Sequence, residues 1–426
     1  ASAAAFVANA RLQILAALIL LLLLFAAREA PPPKVARLLR LTVGLFLGFA
    51  AIQLLPLPPS IWTALPGRGV AAEAFAAVGL PLPWLPLSLT PDRTIGSLLA
   101  FLPPLAMLLL AAPSSVSARP LWAGLIVAIA LVQVVLGVAQ VAGGRNSPLY
   151  VYDFTNWGQS VGLFANRNHH ATFLLMSLPF AASLAMLPLR RAGPVHERWA
   201  KAAMLASLFA MIAGAVAVNG SKAGLLLLPI LLALCACQIR MDLTGRTPRL
   251  GLALTVAALL AGAAIGGASG LLTREQLGDG DPYSRTSRAV LWQQTLSLAV
   301  ANLPAGSGLG SFVPIYHLSE DPLERPSTYV NHAHNDYLEW LLETGVIGVL
   351  LLAGFLAWCT RRAWSAWSDP AASAARAASI AIAAVLVHSA VDYPIRTAAI
   401  AALFALCCVL LASPAPQASA PRRAEP

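Results

Sequence analysis

The sequence predicts an all-α membrane protein, a polytopic bundle of roughly eleven or twelve transmembrane helices. Hydrophobic residues make up 58% of the 426 residues and charged residues only 11%, whereas soluble domains carry about 25% charged residues. Apolar runs such as Leu12–Ala27 and Leu252–Ala264 are typical of membrane helices. They do not alternate apolar and polar residues, as the strands of a transmembrane β-barrel do.

The apolar runs predict spans whose boundaries follow hydropathy along the chain. They lie near residues 11–27, 38–56, 94–112, 120–142, 169–189, 202–218, 222–239, 250–270, 337–358, 374–391 and 396–413. A twelfth span is expected if the start is truncated or a proline-rich stretch hides one. We expect a single membrane domain over residues 1–426, a cap formed by 271–336, and a disordered cytoplasmic tail over 414–426.

Lysine and arginine concentrate in the short loops on one side of the predicted bundle, which the positive-inside rule places in the cytoplasm. The basic residues of these loops account for the net charge of +10, so no nucleic-acid partner is expected. The opposite face receives the long connections Leu57–Arg93, Gly143–Asn168 and Leu271–Asp336. Because long loops in compact proteins are usually functional, we expect any chemistry on that outer face.

The richest polar segment begins at Asn331, where the longest loop re-enters the membrane. It contains His332, His334, Asn335 and Asp336. Ionisable residues at membrane depth are usually functional, and a neutral histidine can act as a general base. Two alternatives remain: a polar helix cap made by Asn335 or Asp336, without chemistry, and a metal site. The spacing of the two histidines matches no strong metal-ligand signature.

A second cluster contains Arg285 and Arg288, which a helix would place on one face because they are three positions apart. Paired guanidinium groups match the geometry of a diphosphate. The alternative is two ordinary surface arginines in a solvated turn.

Two further polar segments end other outer connections. Asn166 and Asn168 flank Arg167, so this segment could position a sugar and add positive charge for an anionic ligand. Its alternative role is a loop-to-helix cap. In the short turn that ends at Lys222, the ammonium group could reach a phosphate or extend to the interface.

Two segments are expected to be structural. The glycine-rich stretch Asn302–Gly310 lacks the Lys-Ser/Thr of a nucleotide phosphate loop and is interpreted as a turn. Asp392 and Arg396 close the last outer turn, and we expect them to form a buried ion pair.

His334-Asn335, nine residues, Gly345, two residues and Gly348 together resemble the H-[NSQ]-x9-G-x-x-G signature of O-antigen ligases. The stretches 162–168 and 284–288, and Pro304 with its glycines, are similar to the wider O-antigen ligase/polymerase family. The resemblance covers roughly residues 150 to 355. Ser221-Lys222 departs from it, because relatives often carry Ser-Arg there, and lysine lacks the guanidinium fork.

The resemblance implies a glycosyltransferase of lipopolysaccharide maturation. The donor would be a glycan on undecaprenyl diphosphate, and the acceptor a sugar hydroxyl of lipid A–core. The reaction would occur at the periplasmic face of the bacterial inner membrane, among membrane lipids, with inversion and without metal, ATP or other cofactor. Since a diphosphate is already a good leaving group, arginines suffice to stabilise it.

On this resemblance His334 would be the base, and Arg285 and Arg288 would hold the diphosphate. The other residues expected at the substrates are Arg167, Asn166, Asn168, His332, Asn335, Tyr337 and Lys222.

Three alternative functions remain open. An O-antigen polymerase would use the same donor and extend a second lipid-linked glycan. A protein O-oligosaccharyltransferase would use a serine or threonine acceptor, but such relatives usually carry extra sequence. A transporter or flippase predicts charges buried mid-span and broken helices in matching halves, which the nearly uncharged spans do not favour.

Overall fold

The computed structural model describes residues 3–26, 33–113, 118–190, 193–246, 249–269, 288–320 and 329–413. Within these residues the chain is mostly helical and has only two short strands, which confirms the predicted all-α class. The strands β1 (Pro56–Leu57) and β2 (Leu85–Pro86) pair antiparallel with each other.

The α-helices are numbered in chain order. They are α1 Ala3–Ala26, α2 Pro33–Leu54, α3 Pro59–Trp62, α4 Gly69–Ala77, α5 Pro91–Ala100, α6 Leu102–Ala111, α7 Arg119–Ala142, α8 Arg167–Arg190, α9 Val195–Val218, α10 Lys222–Thr244, α11 Arg249–Ala268, α12 Arg288–Ala301, α13 Phe312–Leu318, α14 Asp336–Ser368, α15 Ser373–His388 and α16 Ala398–Ala412. A 3₁₀ turn, Pro394–Arg396, joins the last two helices.

Among the described residues, seven helical stretches are long and apolar enough to cross a membrane, so the chain is a multi-pass membrane protein. They are Pro91–Ala111, Arg119–Ala142, Arg167–Leu189, Val195–Val218, Lys222–Thr244, Arg249–Ala268 and Asp336–Ser368. The shorter apolar helices are Ala10–Leu20, Arg40–Leu54, Ser373–His388 and Ala398–Ala412. Together these stretches overlap every predicted span.

The predicted cap over residues 271–336 falls only partly within the described residues, where it contains α12 and α13. The predicted tail, 414–426, lies outside them.

Helices α8 and α15 form the centre of the bundle. Helix α8 packs against α7, α9, α10 and α15, and α15 also packs against α11 and α16. Almost every side chain of α15 is buried, and many of them are alanines. Small residues let neighbouring membrane helices approach closely, so α15 can serve as a shared core element.

Helix α14 is broken at Gly345, whose φ of 58° and ψ of −147° interrupt the helical backbone. The glycine-rich segment 302–310 packs directly against this break. The Val346 amide donates to the Pro304 carbonyl at 3.0 Å, and a Cβ on Gly345 would overlap that carbonyl oxygen and the Gly306 amide. The segment is therefore more than the predicted turn, because it supports the α14 break by close backbone contact.

The second glycine of the motif, Gly348, also has a packing role. The Trp340 indole donates to the Gly348 carbonyl at 2.9 Å, and a Cβ at position 348 would collide with Thr344 and the indole. Both motif glycines thus shape the helix that carries the polar segment.

Candidate active site

His334 lies two residues before α14 and adopts a φ of 51°, in the left-handed region that side-chain-bearing residues rarely occupy. Its Nδ1 atom lies 3.1 Å from Oδ1 of Asp392. The imidazole is 31% exposed, whereas the carboxylate is 1% exposed. When Nδ1–H donates to a carboxylate, the tautomer is fixed and Nε2 is left as a proton acceptor.

Asp392 is held in its ionised form. Burial alone would raise the pKa of Asp392, but the hydrogen bond with His334 and the nearby His169 and His388 lower it well below its ordinary value. The Asn168 amide donates to the second carboxylate oxygen, Oδ2, at 2.6 Å. Asp392 therefore carries a permanent negative charge that faces imidazole rings.

His332 forms a second histidine–carboxylate pair on the other side of the motif. Its Nδ1 atom lies 2.9 Å from Oε1 of Glu339, and the imidazole is 26% exposed. Unlike Asp392, Glu339 is shared: it accepts the Ala333 amide at 3.0 Å and lies 3.2 Å from Arg396. The negative charge next to His332 is thus largely compensated by a guanidinium group.

Arg396 binds three carboxylates that project from one face of α14. Its guanidinium nitrogens lie 3.5 Å from Asp336, 3.2 Å from Glu339 and 2.9 Å from Glu343. Burial would lower the pKa of Arg396, but these carboxylates raise it above its ordinary value. These ion pairs fix the turn that carries Arg396 against the start of α14, since buried charges require such compensation.

The predicted ion pair between Asp392 and Arg396 is therefore wrong. Asp392 pairs with His334 instead, and Arg396 pairs with the acids of α14. The spacing of Asp336, Glu339 and Glu343 by three and four positions was a sequence signal for one acidic helix face, although it could not identify the partner.

Tyr393 lies between the two histidines of the motif. Its ring centroid is 4.1 Å from that of His332 and 4.9 Å from that of His334. The side chains of Asn331 and Asn166 lie near its phenol and act to lower its pKa. Burial, followed by the charge of Asp392, raises the pKa of Tyr393 to about 12. Tyr393 was not predicted as a site residue, because the turn that carries it was expected to be structural.

Arg288, the first residue of α12, lies close enough to His388 for their charges to interact. No hydrogen bond or ion pair connects its guanidinium group to another residue in the described ranges. One turn further along α12, the Trp292 indole donates to the carbonyl oxygens of Ala333 and His334. Arg285, the expected partner of Arg288, lies outside the described residues.

The segment 166–168 also lies beside Asp392 and Tyr393. Asn166 contacts Tyr393 and Asn168 contacts Asp392, so Arg167 between them begins α8 beside the histidines. The Nη1 atom of Arg167 lies next to Gly220: a Cβ added to that glycine would be 3.4 Å from it. The guanidinium group therefore faces the short turn that Lys222 follows.

Lys222 is exposed at the start of α10, directly after this turn. The Ser221 hydroxyl caps the helix by accepting from the Gly224 amide at 3.1 Å. The 219–221 segment is thus the predicted turn, and Lys222 and Arg167 add positive charge on either side of it.

Asn335 and Tyr337, which were expected to contact substrate, make packing and capping contacts within the bundle. The Asn335 side chain is fully buried, caps α14 by accepting from the Tyr337 and Leu338 amides, and donates to Gly266. The Tyr337 hydroxyl donates to the Leu386 carbonyl at 2.7 Å. The alternative expectation, that Asn335 forms the helix cap, is confirmed.

The described cluster combines a proton acceptor, a buried carboxylate and guanidinium groups. This combination suits removal of a proton from a hydroxyl beside an anionic group. Within the described ranges, no three His, Cys, Asp or Glu side chains are grouped so that they could hold a metal ion.

Comparison with known proteins agrees with this chemistry. Residues 203–353 match a family model described as O-antigen ligase, and this match supports assignment of the chain to that family. The match confirms the resemblance found in the sequence, and the family fits glycan transfer of the O-antigen ligase or polymerase type. It includes Lys222, Arg288 and His334, whereas Asp392 and Arg396 lie beyond it. No curated protein matches the chain.

Proposed function

We propose, from the O-antigen ligase family match and the geometry of the site, that the chain transfers a polysaccharide from undecaprenyl diphosphate to a sugar hydroxyl of lipid A–core. The reaction takes place at the periplasmic face of the bacterial inner membrane. The observation that carries the proposal is the partly exposed imidazole of His334, bonded through Nδ1 to the buried Asp392.

The proposed step is a single displacement at the anomeric carbon. Nε2 of His334 accepts the proton of the acceptor hydroxyl as its oxygen forms a bond to that carbon. The bond between the anomeric carbon and the diphosphate oxygen breaks, and its electron pair leaves with undecaprenyl diphosphate. Attack opposite the leaving group inverts the anomeric configuration. Asp392 stabilises the imidazolium that forms, as the carboxylate of a catalytic triad does.

His334 is the better candidate for the base than His332, because their carboxylate partners differ. Asp392 faces imidazoles and the neutral Asn168, so its charge is directed at His334. Glu339 shares its charge with Arg396, which weakens its stabilisation of a protonated His332. We assign His332 to substrate contact, beside Tyr393.

The leaving diphosphate needs positive charge, and Arg288 and Arg167 can supply it. The segments that carry these two arginines contact the His334 cluster, through Trp292 and through Asn168. Arginine binds phosphate oxygens in pairs and remains charged, which suits a group whose charge increases in the transition state. Arg285 and Lys222 are proposed to extend this positive surface.

The decisive experiment incubates the purified protein with an undecaprenyl-diphosphate glycan and lipid A–core, with a chelator and without ATP. Glycan attached to lipid A–core is the expected product. Longer glycans on the undecaprenyl carrier would make the protein a polymerase. Transfer to an added serine- or threonine-containing acceptor protein would make it a protein glycosyltransferase.

The assignment of the base is tested in the same assay. His334→Ala is expected to reduce transfer by roughly 10³-fold or more, and His332→Ala to leave measurable turnover. If His334→Ala retains normal turnover while folding as the wild type does, His334 is not the base.

A further inference from the structure

The indole of Trp292 lies beneath the proposed base and is 2% exposed. Its N–H donates to the carbonyl oxygen of Ala333 at 3.0 Å and to that of His334 at 3.3 Å. Both acceptors are backbone carbonyls of the segment that carries the proposed base. Trp292 is more than forty positions away from them in the chain.

The His334 backbone, which the indole holds, has an unusual conformation. His334 adopts a φ of 51°, and a histidine keeps such a left-handed conformation only when its surroundings fix it. On the far side, the Asp336 amide donates to the carbonyl oxygens of Ser389 and Asp392 at 2.9 and 3.3 Å. The turn is therefore held from both sides, by Trp292 and by the chain segment that carries Asp392.

Trp292 also belongs to the element that carries Arg288. The two residues are four positions apart on α12, which is about one helical turn. Because a helix moves as a rigid unit, whatever fixes the Arg288 end of α12 also fixes the indole.

We infer that Trp292 is a positioning residue that fixes the backbone of the proposed base, His334. This inference rests on the proposed function. The indole, about one helical turn from Arg288 on α12, holds the Ala333 and His334 carbonyls, and the imidazole stays directed at Asp392. Because the indole is buried and bonds to backbone alone, its loss affects turnover more than donor affinity.

The test is Trp292→Phe, which keeps an aromatic ring in the core and removes the N–H donor. Trp62→Phe is the matched control, because Trp62 is 1% exposed and its indole donates to the Pro83 carbonyl at 2.9 Å, in a different part of the chain. With lipid-linked donor and lipid A–core, we expect Trp292→Phe to lower kcat by roughly 10- to 100-fold and to change KM for the donor by less than about threefold. Trp62→Phe is expected to keep the wild-type kcat.

A second measurement does not depend on the transfer reaction. Diethyl pyrocarbonate modifies accessible imidazoles, and mass spectrometry can follow His334 and His332 separately in the same molecule. Trp292→Phe should speed modification of His334, because the imidazole is then no longer held at Asp392. The modification rate of His332 should stay unchanged. Trp62→Phe should alter neither rate.

Unchanged kcat together with an unchanged His334 modification rate would overturn the inference. An equal loss of kcat in both variants would also overturn it, since that result indicates general destabilisation. If Trp292→Phe does not fold, β-(benzothiophen-3-yl)alanine at position 292 keeps the indole shape without the N–H and allows the same comparison. If instead His334→Ala retains turnover, the assignment of His334 as the base fails, and if the wild type transfers no glycan to any acceptor, the proposed function fails. In either case the modification rates still decide whether Trp292 positions His334.

Discussion

The Nδ1 atom of His334 lies 3.1 Å from Oδ1 of Asp392, although the two residues are 58 positions apart in the chain. The histidine comes from the polar motif before α14, and the carboxylate comes from the turn after α15. The family match ends at residue 353, so one member of the pair lies inside the matched region and the other beyond it. The proposed catalytic unit therefore depends on packing between two distant segments.

Asp392→Asn should lower kcat for glycan transfer by roughly 10²- to 10⁴-fold, because an amide neither stabilises the imidazolium nor fixes the tautomer. Single-turnover transfer measures the effect. Asp153→Asn, which neutralises an exposed acid in the 143–168 connection, is the control and should keep full activity. Equal activity in the two variants would show that Asp392 has no part in the reaction.

Arg288→Lys should reduce transfer by more than the retained charge suggests, about tenfold or more, because lysine loses the paired donors that match a diphosphate. Donor titrations give kcat and KM for the variant. Arg145→Lys makes the same change at an exposed arginine of the 143–168 connection and should behave as the wild type. A normal kcat and KM in Arg288→Lys would remove Arg288 from the donor site.

Arg396→Gln should destabilise the protein by about 3–5 kcal/mol, because three carboxylates at the start of α14 lose their positive partner. Thermal unfolding in detergent measures the loss. Arg396→Lys should recover part of it, since the charge remains but not the fork that reaches all three acids. A wild-type melting temperature in Arg396→Gln would contradict the assigned cluster.

Gly345→Ala should destabilise the fold by at least about 1–3 kcal/mol, because a Cβ would overlap the Pro304 carbonyl and the backbone has a positive φ. Gly354→Ala is the matched control on the same helix, where a Cβ meets no atom within 4 Å. Since alanine favours helices over glycine, this control should be neutral or slightly stabilising. Opposite signs in the two melting curves are the expected result.

The raised pKa of the Tyr393 phenol predicts that the protein loses stability at alkaline pH. Burial and then Asp392 raise its pKa from 10.0 to about 12, so the folded state favours the protonated form. That contribution is fully present below pH 10 and is lost as the pH rises through about 12. The wild type should therefore lose unfolding free energy relative to Tyr393→Phe above about pH 10. A constant difference between the two proteins from pH 8 to 12 would contradict the assignment.

The helical class, the span positions and the polar motif followed from local patterns. The ends of an apolar run long enough to cross a membrane can be found in the sequence itself. The structure confirms helices at each predicted position. Asn335 as the cap of α14 was foreseen as one alternative, since capping depends on residues two and three positions away.

The partners of the charged residues did not follow from the sequence. Local spacing suggested that Asp392 pairs with Arg396, four positions later, but the packed bundle directs them to different partners. Likewise, the motif glycines looked like part of a signature, and only the fold shows Gly345 pressed against the 304–306 backbone.

The sequence by itself determined which stretches form long apolar helices and where the polar residues gather, because hydropathy, helix length and capping act within a few residues. Only the tertiary structure decided that Asp392 pairs with His334, that Arg396 pairs with Glu339 and that Trp292 supports the His334 backbone. The physical reason is that a buried charge or hydrogen-bonding group must find its partner among all segments that packing brings together. That packing is a property of the whole bundle, so no single stretch of sequence contains it.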